Sequence, residues 1–271
     1  MQKVDMKIKK ENKLLYLGTA IFCCTLLVYY TLLIYKIDVP FNNDKFNGFN
    51  NFLTIAFSAL IIAPILEELI FRGIFVNEKR YKLFFYIGSV GFCLFTSNYY
   101  LIIIPFFLFL NKLKNKNSCY FLATVLFALV HYSLHDFKNI ISIIPAFFQF
   151  SLGLILLWIA INYGLKKSIL THFLINLTVI FPLFLVLQFP NTDKNSIKND
   201  IIVFEWQKAP TIGNTNFVFT PKEITANRLS ISDFINIYGD SKENYPINDT
   251  LMYYKFNFKI QSSENLDRQA I

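Results

Sequence analysis

The chain has 271 residues, of which 54% are hydrophobic and only 16% are charged. A soluble domain usually carries about 25% charged residues, and the apolar residues here form long runs between residues 14 and 189, so a soluble globular domain is disfavoured. The formal net charge of +8 lies mainly in short loops between those runs, which argues against a nucleic-acid partner.

The apolar runs predict an all-α polytopic membrane bundle of about seven spans. A basic segment, residues 1–13, precedes the first run. That run is long enough to cross a bilayer, and no small-residue cleavage site follows it, so we expect a retained span rather than a signal peptide. Residues 83–110 could form two short spans or one, and the charge pattern favours two. The predicted spans are residues 14–35, 51–76, 83–97, 98–110, 119–134, 140–162 and 168–189.

The loop charges predict the orientation of the bundle. Thirteen basic residues fall on one predicted side, and three fall on the other. Basic loops face the cytoplasm, so the N-terminus is predicted to be cytoplasmic in what we expect is a bacterial cytoplasmic membrane. The thirteen are Lys3, Lys7, Lys9, Lys10, Lys13, Lys79, Arg80, Lys82, Lys112, Lys114, Lys116, Lys166 and Lys167, and the three are Lys36, Lys45 and Lys138.

The polar tail, residues 190–271, is then extracytoplasmic. It contains nine Lys and Arg residues against ten Asp and Glu residues, so it is nearly neutral. Three stretches are typical of strands: Ile201–Trp206, Asn216–Thr220 and Leu251–Ile260. A small β-rich domain is predicted, with a loosely ordered tail as the alternative.

Two adjacent glutamates lie within the second predicted span. A charge near the bilayer centre costs at least ~2.5–3.5 kcal/mol, so such residues are usually functional. On a helix Glu68 and Arg72 share a face and can neutralise each other, whereas Glu67 is turned by about 100° toward a different neighbour. Pro64 is expected to bend the helix and free backbone groups nearby. The alternative is a glutamate–arginine pair that only joins helices.

Two further spans carry polar residues at helical spacing. Phe127 and His131 are four residues apart, and so are His172 and Asn176. Taken alone, His131 is better explained by a hydrogen bond between helices, and the His172–Asn176 pair is equally well explained in that way. His131 and His135, which Asp136 follows, could form a two-histidine metal site, although His135 lies near a loop and solvation explains it better.

Taken together, the three clusters supply a carboxylate, two imidazoles, an amide and a buried ion pair. Such groups can take a proton from water and hold the negative oxygen of a tetrahedral intermediate. The sequence contains no H-E-x-x-H zinc motif, no phosphate-binding loop and no dinucleotide fingerprint. A hydrolytic site inside the bilayer is the hypothesis that uses all three clusters.

The three motifs resemble those of the CPBP family of intramembrane proteases, also called the Abi or type II CAAX prenyl endopeptidase family. Its patterns E-E-x-x-x-R, F-x-x-x-H and H-x-x-x-N correspond here to Glu67-Glu68-x-x-x-Arg72, Phe127-x-x-x-His131 and His172-x-x-x-Asn176. The resemblance covers about residues 50–180 and leaves the tail unexplained.

The resemblance implies an endopeptidase that acts on membrane proteins or lipidated peptides within the lipid bilayer. It implies that Glu67 is the general base, that His131 positions the water, and that His172 and Asn176 bind the oxyanion. Glu68, Arg72 and Phe127 are then supporting residues. The family is commonly called a metalloprotease, so zinc bound by Glu67, His131 and His172 is an open alternative to a metal-free water.

Two other classes of function remain open at this point. A non-catalytic binding or bacteriocin-immunity protein could keep the same polar residues for structure alone. A transporter would need charged residues in further spans, and the first, third, fourth and sixth predicted spans have none. The intramembrane peptidase is therefore the leading prediction.

Overall fold

The computed structural model describes residues 2–36, 52–75, 79–95, 98–110, 116–132, 141, 143–238 and 253–264. His135 and Asp136 lie outside the described residues. The chain divides into two compact units. The first contains residues 1–44 and 57–176, and the second contains residues 45–56 and 177–271. The predicted boundaries after residues 13 and 189 stay predictions.

The first unit is helical, as the long apolar runs require. The helical segments, two of which run on into the second unit, are α1 (Gln2–Ile34), α2 (Phe52–Phe57), a π-helical segment (Ser58–Ile62), α3 (Ala63–Arg72), α4 (Lys79–Phe95), α5 (Ile103–Leu110), α6 (Lys116–Leu129), α7 (Ile143–Tyr163) and α8 (Leu165–Gln188). Short 3₁₀ turns at Gly73–Phe75 and Tyr99–Ile102 follow α3 and precede α5.

Four helices in the described residues are long and apolar enough to cross a membrane: Asn12–Ile34, Phe52–Phe75, Ile143–Tyr163 and Leu165–Gln188. Two shorter apolar helices are Tyr81–Phe95 and Asn117–Leu129. The prediction of an integral membrane protein is confirmed, but the count of about seven spans is not. The physical reason is length, because α4, α5 and α6 are too short at 1.5 Å per residue to meet the usual span of ~20 residues.

The core of the first unit lies where α3, α4 and α6 meet. Its buried residues are Ile70, Phe71, Cys93, Leu101, Leu126, Phe127 and Val130. Helix α7 comes close to α6 at Gly153, where an added Cβ would lie 2.8 Å from the Thr124 side chain and 3.0 Å from the Phe127 ring. A small residue at this contact lets the two helix backbones approach closely, and the approach packs α7 against Phe127.

Helices α7 and α8 are joined by a single residue. Gly164 has a φ of 86°, a left-handed conformation that glycine adopts without steric cost. Its N–H donates to the carbonyl of Ala160 at 3.1 Å and so closes the last turn of α7. The chain enters α8 directly, so residues early in α8 can reach the end of α7.

The helix that carries the two glutamates is irregular just before Pro64. In the π-helical segment the Ala63 N–H donates to the carbonyl of Ser58, five residues back. The predicted disturbance near Pro64 therefore takes the form of a π-helical stretch, which places one additional residue in the turn.

The second unit contains a five-stranded antiparallel sheet in the order β1-β2-β5-β4-β3. The strands are β1 (Asn195–Lys198), β2 (Ile202–Ala209), β3 (Asn216–Phe219), β4 (Glu223–Ser230) and β5 (Lys255–Ser262), and helix α9 (Ile231–Tyr238) follows β4. Ala226, Leu229, Phe256 and Phe258 are buried on one face and pack against Phe204, Trp206 and Phe234. The β-rich alternative for the tail is correct, and the loosely ordered alternative is wrong for these residues.

Candidate active site

The structure brings together the polar residues of α3, the end of α6 and α8. Glu67, Glu68, Arg72 and His172 are all buried, and the side chain of His131 is 23% exposed. The sequence places these groups on three separate apolar helices, and the fold gathers them in one cluster. The polar side chains of three separate helices therefore lie close enough together to act at one site.

Glu68 is the completely buried centre of the cluster. Its Oε1 atom lies 3.0 Å from Nη1 of Arg72 and 2.9 Å from Nδ1 of His172. Its Oε2 atom accepts a hydrogen bond of 2.5 Å from Oγ of Ser168. A buried carboxylate is tolerated only when it is paired and hydrogen-bonded, and Glu68 is both.

Arg72 supplies the counter-charge and is itself supported by an aromatic ring. Its Cζ atom lies 3.9 Å from the centre of the Phe127 ring, which is a cation–π distance. Among the described residues, neither Nη1 nor Nη2 has a hydrogen-bond partner of good geometry. The Glu68 charge and the Phe127 ring are thus the contacts that stabilise the buried guanidinium.

Phe127 also contacts both histidines. Its ring centre lies 5.1 Å from that of His131 and 6.3 Å from that of His172, in edge-on arrangements. Edge-to-face packing restricts how an aromatic ring can turn. Phe127 therefore contacts Arg72, His131 and His172 together.

Both imidazoles are oriented by a hydrogen bond at Nδ1. In His131 this nitrogen lies 2.6 Å from the carbonyl oxygen of Phe127, and in His172 it lies 2.9 Å from Glu68. A carbonyl oxygen and an ionised carboxylate only accept hydrogen bonds, so each Nδ1 carries the hydrogen. In a neutral ring Nε2 is then the acceptor nitrogen.

Both Nε2 atoms face the carboxylate of Glu67. The distance from His131 Nε2 to Glu67 Oε1 is 3.6 Å, and the distance from His172 Nε2 to Glu67 Oε2 is 3.8 Å. These separations are too long for strong direct hydrogen bonds. One water that lies about 2.8 Å from each atom of such a pair can contact both.

Asn176 lies on the same face of α8 as His172, but its amide is engaged elsewhere. Its Nδ2 atom donates to the carbonyl of Ala59 at 2.7 Å. The structure therefore connects Asn176 to the π-helical segment, whereas it gathers six other predicted residues in one cluster: Glu67, Glu68, Arg72, Phe127, His131 and His172.

The sequence interpretation missed Ser168. This side chain is completely buried, and its Oγ atom lies 2.9 Å from the carbonyl of Leu156 in α7 as well as 2.5 Å from Glu68. A signal was available, because Ser168, His172 and Asn176 follow one another at four-residue steps along an apolar helix and so share a face. The predicted site was built around ionisable side chains, and the neutral hydroxyl of Ser168 was not included in it.

The cluster contains the types of donor atom that a metal site requires. Two imidazole nitrogens and a carboxylate match the ligands that zinc prefers. Within the described ranges, however, no group of three or more His, Cys, Asp or Glu side chains is arranged to hold a metal ion. The residues do not form a ready metal site, and zinc stays a prediction.

The protein is thus an integral membrane protein with a buried Glu–His cluster among its helices. Residues 49–178 match the family model described as Type II CAAX prenyl endopeptidase Rce1-like, and this stretch includes all three motifs. The match agrees with the resemblance noted from the motifs, and that family implies protease activity. No curated protein and no solved structure matches the chain.

Proposed function

We propose that this protein is an intramembrane endopeptidase that hydrolyses a peptide bond with a water activated by Glu67 and His131. The observation that supports this most directly is the convergence of two oriented imidazole Nε2 atoms on one buried carboxylate. A cluster that served only to join helices would be expected to pair these groups directly with one another. Here the gaps of 3.6 and 3.8 Å favour a bridging water.

Charge balance assigns the protonation of the cluster. Glu68 and Arg72 neutralise each other, which leaves the Glu67 carboxylate as a single negative charge in a buried site. A buried charge is stabilised by an opposite charge. In the proposed state, a second proton on His172 supplies this positive charge. The Nδ1–H then donates to Glu68, and the Nε2–H points toward the reacting centre.

The proposed reaction begins with a water between Glu67 and His131. The water donates one hydrogen to the Glu67 carboxylate and the other to Nε2 of His131. As its oxygen attacks the substrate carbonyl carbon, Glu67 takes a proton, and the carbonyl oxygen becomes negative. The Nε2–H of His172 stabilises that oxygen. Glu67 then passes the proton to the amide nitrogen as the C–N bond breaks, which releases a carboxylic acid and an amine.

The proposed substrate is membrane-associated, because the site lies among apolar helices. A CAAX-like or otherwise lipidated peptide, or a membrane protein, fits this environment and the family match. We place the protein in a bacterial cytoplasmic membrane with the N-terminus inside and residues 190–271 outside, on the basis of the basic loops. Because the tail is nearly neutral, the predicted orientation depends on the basic loops.

Peptide cleavage by purified protein in liposomes tests the proposal. The substrates are a fluorogenic prenylated peptide ending in a CAAX sequence, the same peptide without the prenyl group, and a mixed peptide library read by mass spectrometry. Glu67→Gln should lose 10²–10⁴-fold in rate, which is the usual contribution of a general base. Glu205→Gln, which alters an exposed side chain on β2, is the control and should keep full activity.

Full cleavage by folded Glu67→Gln protein would contradict the proposal. So would the absence of cleavage of all three substrate preparations by the wild-type protein. The geometry does not favour the non-catalytic alternative, because helix joining gives no reason for both Nε2 atoms to face Glu67.

A further inference from the structure

The backbone between Ala59 and Pro64 contains a hydrogen-bond vacancy that follows from the sequence. Ala63 N–H donates to Ser58, five residues back. The same register assigns the carbonyl of Ala59 to the N–H of residue 64. Residue 64 is proline, which has no N–H. In an apolar bundle a backbone carbonyl without a donor is costly, so Ala59 needs a donor from another element.

Asn176 provides that donor. Its Nδ2 atom lies 2.7 Å from the Ala59 oxygen, in place of the missing bond from Pro64. The contact joins residues 117 positions apart in sequence. It therefore connects two separate helical elements rather than capping its own helix.

The two connected elements carry opposite sides of the candidate site. Ala59 precedes Glu67 on the continuous helical run Phe52–Phe75, and Asn176 lies one turn after His172 on α8. The 3.8 Å separation between His172 Nε2 and Glu67 Oε2 depends on how these elements sit against each other. A bond near one end of the pair restrains their relative rotation and sliding.

We propose that Asn176 is a positioning residue that replaces the backbone hydrogen bond lost at Pro64 and thereby holds the Glu67 helix in register with His172. The inference that Asn176 positions Glu67 for catalysis rests on the proposed function, whereas the hydrogen bond between Asn176 and Ala59 does not depend on catalysis. It differs from the oxyanion role that the family resemblance implied for Asn176, in which the amide would act on the substrate.

A double-mutant cycle between residues 64 and 176 tests the proposal. Asn176→Leu keeps a side chain of similar size but removes the donor to Ala59. In the wild-type background it should lower the melting temperature by roughly 2–12 °C, as expected for one buried acceptor left without a partner. Pro64→Ala restores a backbone N–H, so in that background Asn176→Leu should cost clearly less.

Two measurements separate positioning from contact with the substrate. The melting temperature reads the bond whether or not the protein cleaves a peptide, so failure of the proposed function leaves this test intact. The second measurement is the rate. With Pro64 present, Asn176→Leu should lower kcat by about 10²-fold through misplacement of Glu67, and Pro64→Ala should recover part of that loss.

Asn162→Ala is the matched control, because the Asn162 amide donates to Trp158 within its own helix at 2.9 Å. Its effect on the melting temperature should be the same with proline or alanine at position 64. If Pro64→Ala does not fold, Pro64→Ser supplies the same N–H. Equal effects of Asn176→Leu in both backgrounds, on melting temperature and on kcat, would overturn the proposal.

Discussion

Glu67 and Glu68 are neighbours in sequence, but their replacement by glutamine should affect different properties. Glu68→Gln should mainly lower stability, and Glu67→Gln should mainly lower the rate of cleavage. Glu68 is completely buried and receives contacts from Arg72, His172 and Ser168. Glutamine removes its charge and leaves the Arg72 guanidinium buried without a counter-charge. Removal of one partner of a buried ion pair costs about 3–5 kcal/mol.

That free energy corresponds to a measurable fall in thermal stability. For a protein of this size each kcal/mol shifts the melting temperature by about 2–4 °C, so Glu68→Gln should melt roughly 6–20 °C below the wild type. Glu67→Gln should melt closer to the wild type, because its nearest polar atoms lie at 3.6 and 3.8 Å and a neutral His172 needs no counter-charge once the Glu67 charge is removed. Its loss should appear in the rate of cleavage instead.

The cysteines of the protein provide the assay. Cys93 and Cys119 are buried in the helical unit, whereas Cys23 and Cys24 are exposed. In a Cys23→Ser/Cys24→Ser background, a dye that becomes fluorescent on reaction with thiols reports the unfolding of the helices that carry the site. The sheet contains no cysteine, so its unfolding does not contribute to the signal.

Melting temperatures in the reverse order would refute this reasoning. If Glu67→Gln lowered the melting temperature more than Glu68→Gln, the assignment of one glutamate to chemistry and the other to charge pairing would be wrong. Arg72→Ala provides the independent check. It removes the other partner of the pair, so it should destabilise the protein about as much as Glu68→Gln.

Three further outcomes are expected. Ser168→Ala should lower kcat about ten- to a hundredfold with little change in KM, because the Glu68 carboxylate loses the hydrogen bond from Ser168 and orients His172 less well. Ser168→Thr should recover activity. Ser151→Ala removes a buried hydroxyl that donates to a backbone carbonyl, and it should leave activity unchanged. Cleavage should survive exhaustive chelation, whereas one equivalent of zinc found by elemental analysis in the wild type and lost in His172→Ala would support the metal alternative. A reporter fused after residue 195 should give an extracytoplasmic signal, and a cytoplasmic signal would contradict the predicted orientation.

Apolar run length predicted the class of protein and the position of most helices, but not how many of them are long enough to cross a membrane. The predicted division of residues 83–110 agrees with the end of α4 at Phe95 and the start of α5 at Ile103. Neither helix reaches the usual span length, and periodicity alone cannot show how such short helices are accommodated.

In the tail, alternation of side chains predicted the stretches that became β2, β3 and β5. Strand β4 was missed because its pairing with β5 shifts register between Ala226 and Leu229. Arg228 there has a φ of 58°, and its N–H donates to the side chain of Asn257. A bulge breaks the two-residue alternation on which strand prediction depends.

For the candidate site, helical spacing predicted contacts within one helix and could not predict contacts between helices. The Glu68–Arg72 pair follows directly from the four-residue step, and it is present. The same step places Ser168, His172 and Asn176 on one face of α8, but it does not say what that face meets. In the structure the first two reach Glu68 and the third reaches Ala59. One face of α8 thus contacts both the glutamate that orients His172 and the irregular turn before Glu67. The relative position of the two Nε2 atoms and the Glu67 carboxylate therefore depends on α8 as a whole, which no single motif encodes.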